Sequence, residues 1–276
     1  MISAVTEAGA APRAGASPSP SLAPLRSRVA GWAGCRTVTL TAVAIMVAVW
    51  CLEQAFIGHT RGGRTIGYLA FGGLPNATVS GRGSPEQWWR YISDGLVHDT
   101  GTILHLGVNA GVLLLFGGRV ERLYGRRGCL AALVVASVAG GVGWMVWSAL
   151  GFVGLPDYSI GASTAACGLI GLLLAYAWGQ RPGIDPHTLH TIKAQAVLGI
   201  ALLVLLGLVV PGLNNAAHAG GLVGGAIVGL RLPPRPGAGG RPLRRAENAA
   251  LWAVVALTGL SLVLAGLNLE SRILGS

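Results

Sequence analysis

Four side chains set in apolar sequence could do chemistry in this chain: Ser163, His218, His105 and Asn109. A serine hydroxyl is a poor nucleophile until a base takes its proton, and a neutral imidazole is the ordinary base for that work. In G161-A-S-T-A-A-C-G-L-I-G171, Ser163, Cys167 and Gly171 share one stripe of a helix. In A217-H-A-G-G-L-V-G-G-A-I-V-G229, Ala217, Gly221, Gly225 and Gly229 form a second stripe, with His218 three residues before Gly221. Small stripes let helix backbones approach closely in lipid. If these two pack, Ser163 faces His218, and the imidazole accepts the serine proton as the hydroxyl attacks a carbonyl. His105 and Asn109, four apart and therefore on one face, suit the oxyanion that forms. Each residue also has an ordinary reading. A membrane serine often bonds back to its own helix carbonyl, and a histidine or asparagine often bonds between helices. A metal site from His98, His105 and His218 has no Asp or Glu near these residues within the spans and no H-E-x-x-H spacing, so neither metal nor cofactor is expected.

The elements that must position these residues are apolar. Hydrophobic residues fill 52% of 276 positions, charged residues only 11%, and 44 are Gly. That leaves too little polar surface to clothe a soluble globule, and a soluble enzyme is excluded. The net charge of +10 comes from 19 Arg and one Lys against 10 acidic residues. These lie mostly in loops between apolar runs, which points to membrane topology and away from a nucleic-acid partner. Cys35, Cys51, Cys129 and Cys167 show no paired spacing.

Residues 1–36 read as a disordered basic tail, rich in Ala, Pro, Ser and Gly. Seven apolar runs follow: Thr37 to Ile57, an uncleaved signal anchor, then Thr102 to Gly117, Cys129 to Leu150, Ser159 to Trp178, Ala194 to Val210, Ala216 to Leu230 and Ala249 to Leu267. With the N-terminus cytoplasmic, 15 basic residues fall inside and five outside, so the reading is N-in and C-out. The second, fourth and sixth helices then begin at the outer surface. Ser163, four residues into its span and about 6 Å below its start, shares a level with His105 and His218. The loop from Gly58 to His98 carries Trp88, Trp89, Arg90 and Tyr91, a composition suited to the lipid headgroup level.

In chain order, Trp89-Arg90, His105-x-x-x-Asn109, Gly117-x-x-x-Glu121-x-x-x-Gly125, Gly161-x-Ser163 and His218-x-x-Gly221-x-x-x-Gly225 resemble the rhomboid family of intramembrane serine proteases. The likeness runs from about Trp88 to Gly229, roughly half of the chain. It implies Ser163 as nucleophile, His218 as base, and His105, Asn109 and the Ser163 backbone N–H as oxyanion donors, with no carboxylate third partner. Trp89, Arg90, Glu121, Gly161, Gly221 and Gly225 would be its structural positions. The implied fold is all-α: a polytopic membrane bundle with a six-helix core at 37–232, a Pro- and Arg-rich cytoplasmic linker at 233–248 and an appended seventh helix at 249–267. The chain departs from the family pattern at Thr164, where Gly is usual, and at Cys167, where an aromatic residue is usual.

The expected activity is hydrolysis of a peptide bond in or near a substrate's transmembrane helix, with transmembrane proteins and the lipid bilayer as partners. A catalytically silent relative that binds membrane clients is the alternative. A small transporter fits less well, since the later spans hold no deep acidic residue and no inverted repeat is visible. Arg-rich, Lys-poor composition favours a bacterial plasma membrane.

Overall fold

The computed structural model describes residues 36–56, 63–76, 87–151, 157–179, 185–210, 212–235 and 241–274. All but the last residue of the basic tail, Arg61, Arg82, Arg181 and residues 236–240 of the linker lie outside the described residues.

The chain forms α1 (Thr37–Phe56), α2 (Gly63–Phe71), β1 (Leu74–Pro75), α3 (Arg90–Ser93) with a 3-10 turn (Asp94–Leu96), and α4 (Ile103–Ala149). Then come β2 (Tyr158–Ser159), α5 (Ser163–Trp178), α6 (Pro186–Val209), α7 (Asn215–Arg231) and α8 (Arg245–Leu274). Among the described residues four helices are long and apolar enough to cross a membrane: Thr37–Phe56, Ile103–Ala149, Pro186–Val209 and the Arg245–Leu269 part of α8. The protein is a mostly helical, multi-pass membrane protein.

The second and third apolar runs, read as separate helices, are the two arms of α4. Its 47 residues would make a straight rod of about 70 Å, more than twice the hydrocarbon thickness. Gly125 breaks the rod at φ 77° and ψ 174°, giving two arms, residues 103–124 and 126–149. The fourth run is trimmed instead: Tyr158 and Ser159 pair antiparallel with Pro75 and Leu74, and α5 begins only at Ser163. The fifth run starts earlier than its apolar stretch, at Pro186, where Asp185 accepts from the Thr188 N–H at 2.8 Å and proline occupies the first turn. The last helix likewise begins at Arg245, within the stretch read as linker.

Burial divides the helices. Leu169, Leu172, Leu173 and Tyr176 of α5 are fully buried with Phe116 and Val120 of α4. The peripheral helices show Leu and Val outward, Leu208 at 81% exposure, as lipid-facing surfaces do. Packing of α5 on α7 is backbone to backbone. A Cβ at Gly225 would land on the Gly168 carbonyl, and one at Gly221 on the Thr164 carbonyl. The two small-residue stripes therefore meet.

Glu121 joins α1 to α4. Its carboxylate accepts from the Val38 N–H at 3.2 Å, the Thr39 N–H at 2.8 Å and the Thr39 hydroxyl at 2.7 Å. Those N–H groups belong to the first turn of α1 and have no partner within the helix, so a buried acceptor from α4 fixes where α1 enters the bundle.

The Trp89-Arg90 pair differs from the headgroup-level reading. Both residues are buried. The Arg90 guanidinium lies 4.5 Å from the Trp89 ring centre, donates to the carbonyls of Leu69 (2.6 Å) and Gly73 (2.9 Å), and to Gln87 Oε1 at 2.7 Å. A cation that satisfies the carbonyls at the end of α2 is more useful inside the loop than at its surface.

Candidate active site

Ser163 is the first residue of α5, not a residue four positions into a span. Gly161 sets this start. At φ +107° it holds a backbone conformation that L side chains rarely adopt, and it turns the chain out of β2 so that Ala162 serves as N-cap. The Ser163 backbone N–H thus stands at a helix start, where no intrahelical acceptor exists and the dipole favours negative charge.

Across the α5–α7 contact, His218 Nε2 lies 2.7 Å from Ser163 Oγ. His218 is buried, one turn into α7, which Asn214 caps by accepting from the Ala217 N–H at 3.0 Å. With Nε2 accepting the serine proton, Nδ1 carries the ring hydrogen, and Nδ1 has no hydrogen-bond partner among the described residues. Among the described residues no carboxylate bonds to this imidazole.

His105 and Asn109 sit on the other side of the Gly161 turn. A Cβ on Gly161 would lie 2.6 Å from His105 Nε2 and 3.6 Å from Asn109 Nδ2, so glycine is required there for space as well as conformation. His105 Nδ1 accepts from the Asp99 N–H at 3.2 Å, which leaves the ring hydrogen on Nε2, facing the turn. Asn109 Nδ2 donates one hydrogen to the His105 carbonyl at 2.7 Å, and an amide nitrogen has a second to give. The four residues singled out in the sequence are therefore brought together around the Gly161–Ser163 turn, His218 against the Ser163 hydroxyl and His105 with Asn109 against Gly161.

Sequence reasoning treated His98 only as a possible ligand, and the structure gives it another part. Its Nε2 accepts from the Ala162 N–H at 3.4 Å, its Nδ1 donates to the Leu96 carbonyl at 3.0 Å, and its ring lies 5.1 Å from that of His105. The Gly161 N–H donates to the Asp94 carbonyl at 2.9 Å. Burial first, and then the neighbouring His105, pull the His98 imidazole down to about 4, so it stays neutral and keeps its acceptor. No spacing in the sequence could have revealed the bond to Ala162, which lies 64 residues away in the chain. Among the described residues no three His, Cys, Asp or Glu side chains form a group that could hold a metal ion.

Thr164 does not crowd the nucleophile. Its methyl group fills the space above Gly140 of α4 and touches Gly221 of α7, two glycines that leave room for a β-branched residue. Cys167 is buried one turn below Ser163.

Residues 85–235 match the Rhomboid domain family. Rhomboid protease GluP of Bacillus subtilis (strain 168) is 30% identical over 219 residues, covering 79% of this chain and 39% of that protein. Rhomboid-type serine protease 2 of Emericella nidulans is 32% identical over 200 residues, 68% of this chain and 36% of its own length. Rhomboid protease AarA of Providencia stuartii is 26% identical over 211 residues, 71% of this chain and 73% of that protein. The chain thus spans well under half the length of the first two relatives. With more than half of the chain matched and the ordered motifs falling inside the matched region, the protein belongs to the rhomboid family.

Proposed function

We propose that this chain is an intramembrane serine endopeptidase that cleaves transmembrane proteins in or near a membrane-spanning helix through a Ser163–His218 dyad. The observation that carries the reading is the 2.7 Å approach of His218 Nε2 to Ser163 Oγ in a buried, helix-enclosed position. As Oγ attacks the scissile carbonyl, its proton passes to His218 Nε2. The carbonyl oxygen becomes an oxyanion beside the Ser163 N–H, His105 Nε2–H and the second hydrogen of Asn109 Nδ2. On collapse of this adduct His218 returns the proton to the leaving amine. Water then hydrolyses the acyl-serine with the same imidazole as base. The relatives' names as proteases support the same chemistry.

The architecture that goes with this reading is a six-helix core with α8 as the appended seventh helix, N-terminus cytoplasmic and C-terminus outside, in a bacterial plasma membrane. The test is a fluorophosphonate probe on purified protein in detergent, together with cleavage of a transmembrane reporter in liposomes. Wild type is expected to label and cleave. Ser163→Ala is expected to do neither, and His218→Ala to lose cleavage, with insertion and expression unchanged. Wild-type protein that binds membrane clients but neither labels nor cleaves would establish the silent alternative and sink the dyad.

A further inference from the structure

The C-terminal end of α2 leaves a set of backbone carbonyls that a helix cannot satisfy itself, and in a loop buried against the rest of the protein water is a poor substitute. The chain answers them one by one. The Tyr68 carbonyl accepts from the Gly73 N–H at 2.8 Å, Leu69 and Gly73 accept from Arg90, and Gly72 accepts from the Ser93 hydroxyl at 3.0 Å. The Ala70 carbonyl is met from another part of the chain: Asn268 of α8 donates to it at 2.7 Å, across 198 residues. Seven residues earlier on the same helix face, the fully buried Ser261 hydroxyl donates to the Trp89 carbonyl at 2.9 Å. Two polar side chains of α8 thus reach Ala70 and Trp89, on either side of one substructure.

That substructure touches the reacting serine's own segment at three points. β1 pairs with β2, the Asp94 carbonyl accepts from the Gly161 N–H, and His98 accepts from the Ala162 N–H. We infer that α8 is a positioning element for catalysis: Ser261 and Asn268 clamp the segments 68–76 and 87–98, and these clamped segments hold Gly161 and Ala162 so that the Ser163 N–H and Oγ point correctly. Neither residue touches reacting atoms, and their role rests on the serine-protease reading above. An oxyanion donor displaced by a fraction of an ångström loses its advantage mainly in the transition state, so turnover suffers and substrate binding does not.

The experiment uses the full-length protein in liposomes, with fluorophosphonate titration of active sites and kcat and KM for a transmembrane reporter. Ser261→Thr retains the hydroxyl and Ser261→Val removes it at equal size. Asn268→Leu removes the other donor. Thr258→Val is the control, since that hydroxyl bonds within α8 to the Val254 carbonyl at 2.8 Å. Expected is a fall in kcat per titrated site of roughly fivefold for Ser261→Val and for Asn268→Leu, the worth of one ordinary hydrogen bond, with KM unchanged. Ser261→Thr and Thr258→Val should match wild type. Unchanged kcat per site, or a loss confined to the titratable fraction, overturns the clamp as a positioning device. If wild type itself does not titrate, the dyad reading has failed, and hydrogen exchange decides the clamp alone. Faster exchange at residues 68–73 and 161–163 in the valine and leucine variants supports it, and equal exchange overturns it.

Discussion

The short central helices and the long peripheral ones follow opposite rules. α5 and α7, of 16 and 17 residues, are rich in Gly and Ala and touch through bare backbone. α1, α6 and α8 are 20, 24 and 30 residues long, and turn Leu and Val outward. In the windows that mark the peripheral helices as membrane-crossing, only 11–17% of residues are buried. The side chains proposed for chemistry all stand on the central pair or on the neighbouring arm of α4. Length separates the two groups: α5 and α7 fall short of the roughly 20 residues that span a bilayer comfortably, yet they carry the serine and the imidazole. The difference teaches that a change of equal size should be ruinous in the centre and nearly silent at the edge.

The largest expected effect tests that contrast directly. Gly221→Val places an isopropyl group against the Thr164 carbonyl and should separate Ser163 from His218, abolishing cleavage. Leu208→Ala, a change of the same three carbons on an 81% exposed residue, should leave cleavage as it is. Equal behaviour of the two variants in a reporter assay would erase the distinction between centre and edge.

A smaller loss separates chemistry from packing within the centre itself. Asn109→Ala should lower kcat roughly a hundredfold, as deletion of one oxyanion donor does, while melting temperature moves little. A variant that cleaves at the wild-type rate would make Asn109 a helix-bonding residue only.

The smallest effect concerns His98, at the border of the two regions. Its folded value of about 4 lies below the ordinary 6.5, so between those values the unfolded chain binds the proton that the folded chain refuses. Its contribution to stability is therefore complete above about 6.5 and is lost as pH falls toward 4. His98→Gln keeps an acceptor for Ala162 and a donor for Leu96 without titrating, and should make the fall in melting temperature between pH 7 and pH 5 shallower. Identical pH profiles for wild type and variant would remove His98 from the account.

Much of this protein is determined by its sequence alone. Apolar run length and scarcity of charge require a membrane bundle, because nothing else can satisfy that many backbone groups in lipid. The spacings of Ser163, His218, His105 and Asn109 name the candidate site, because helical periodicity is local and readable. Tertiary structure decided the rest. It fixed Ser163 at the very start of α5, where Gly161 at φ +107° turns the chain out of the β1–β2 pair beside His105. It buried Trp89 and Arg90, because the carbonyls that want the guanidinium belong to α2. It brought His98 to Ala162, and Ser261 and Asn268 to the loop, across separations of 64, 172 and 198 residues. Those partners are single hydrogen bonds between distant backbone and side-chain groups. They leave no period, spacing or composition in the chain, and exist only once the helices have closed around them.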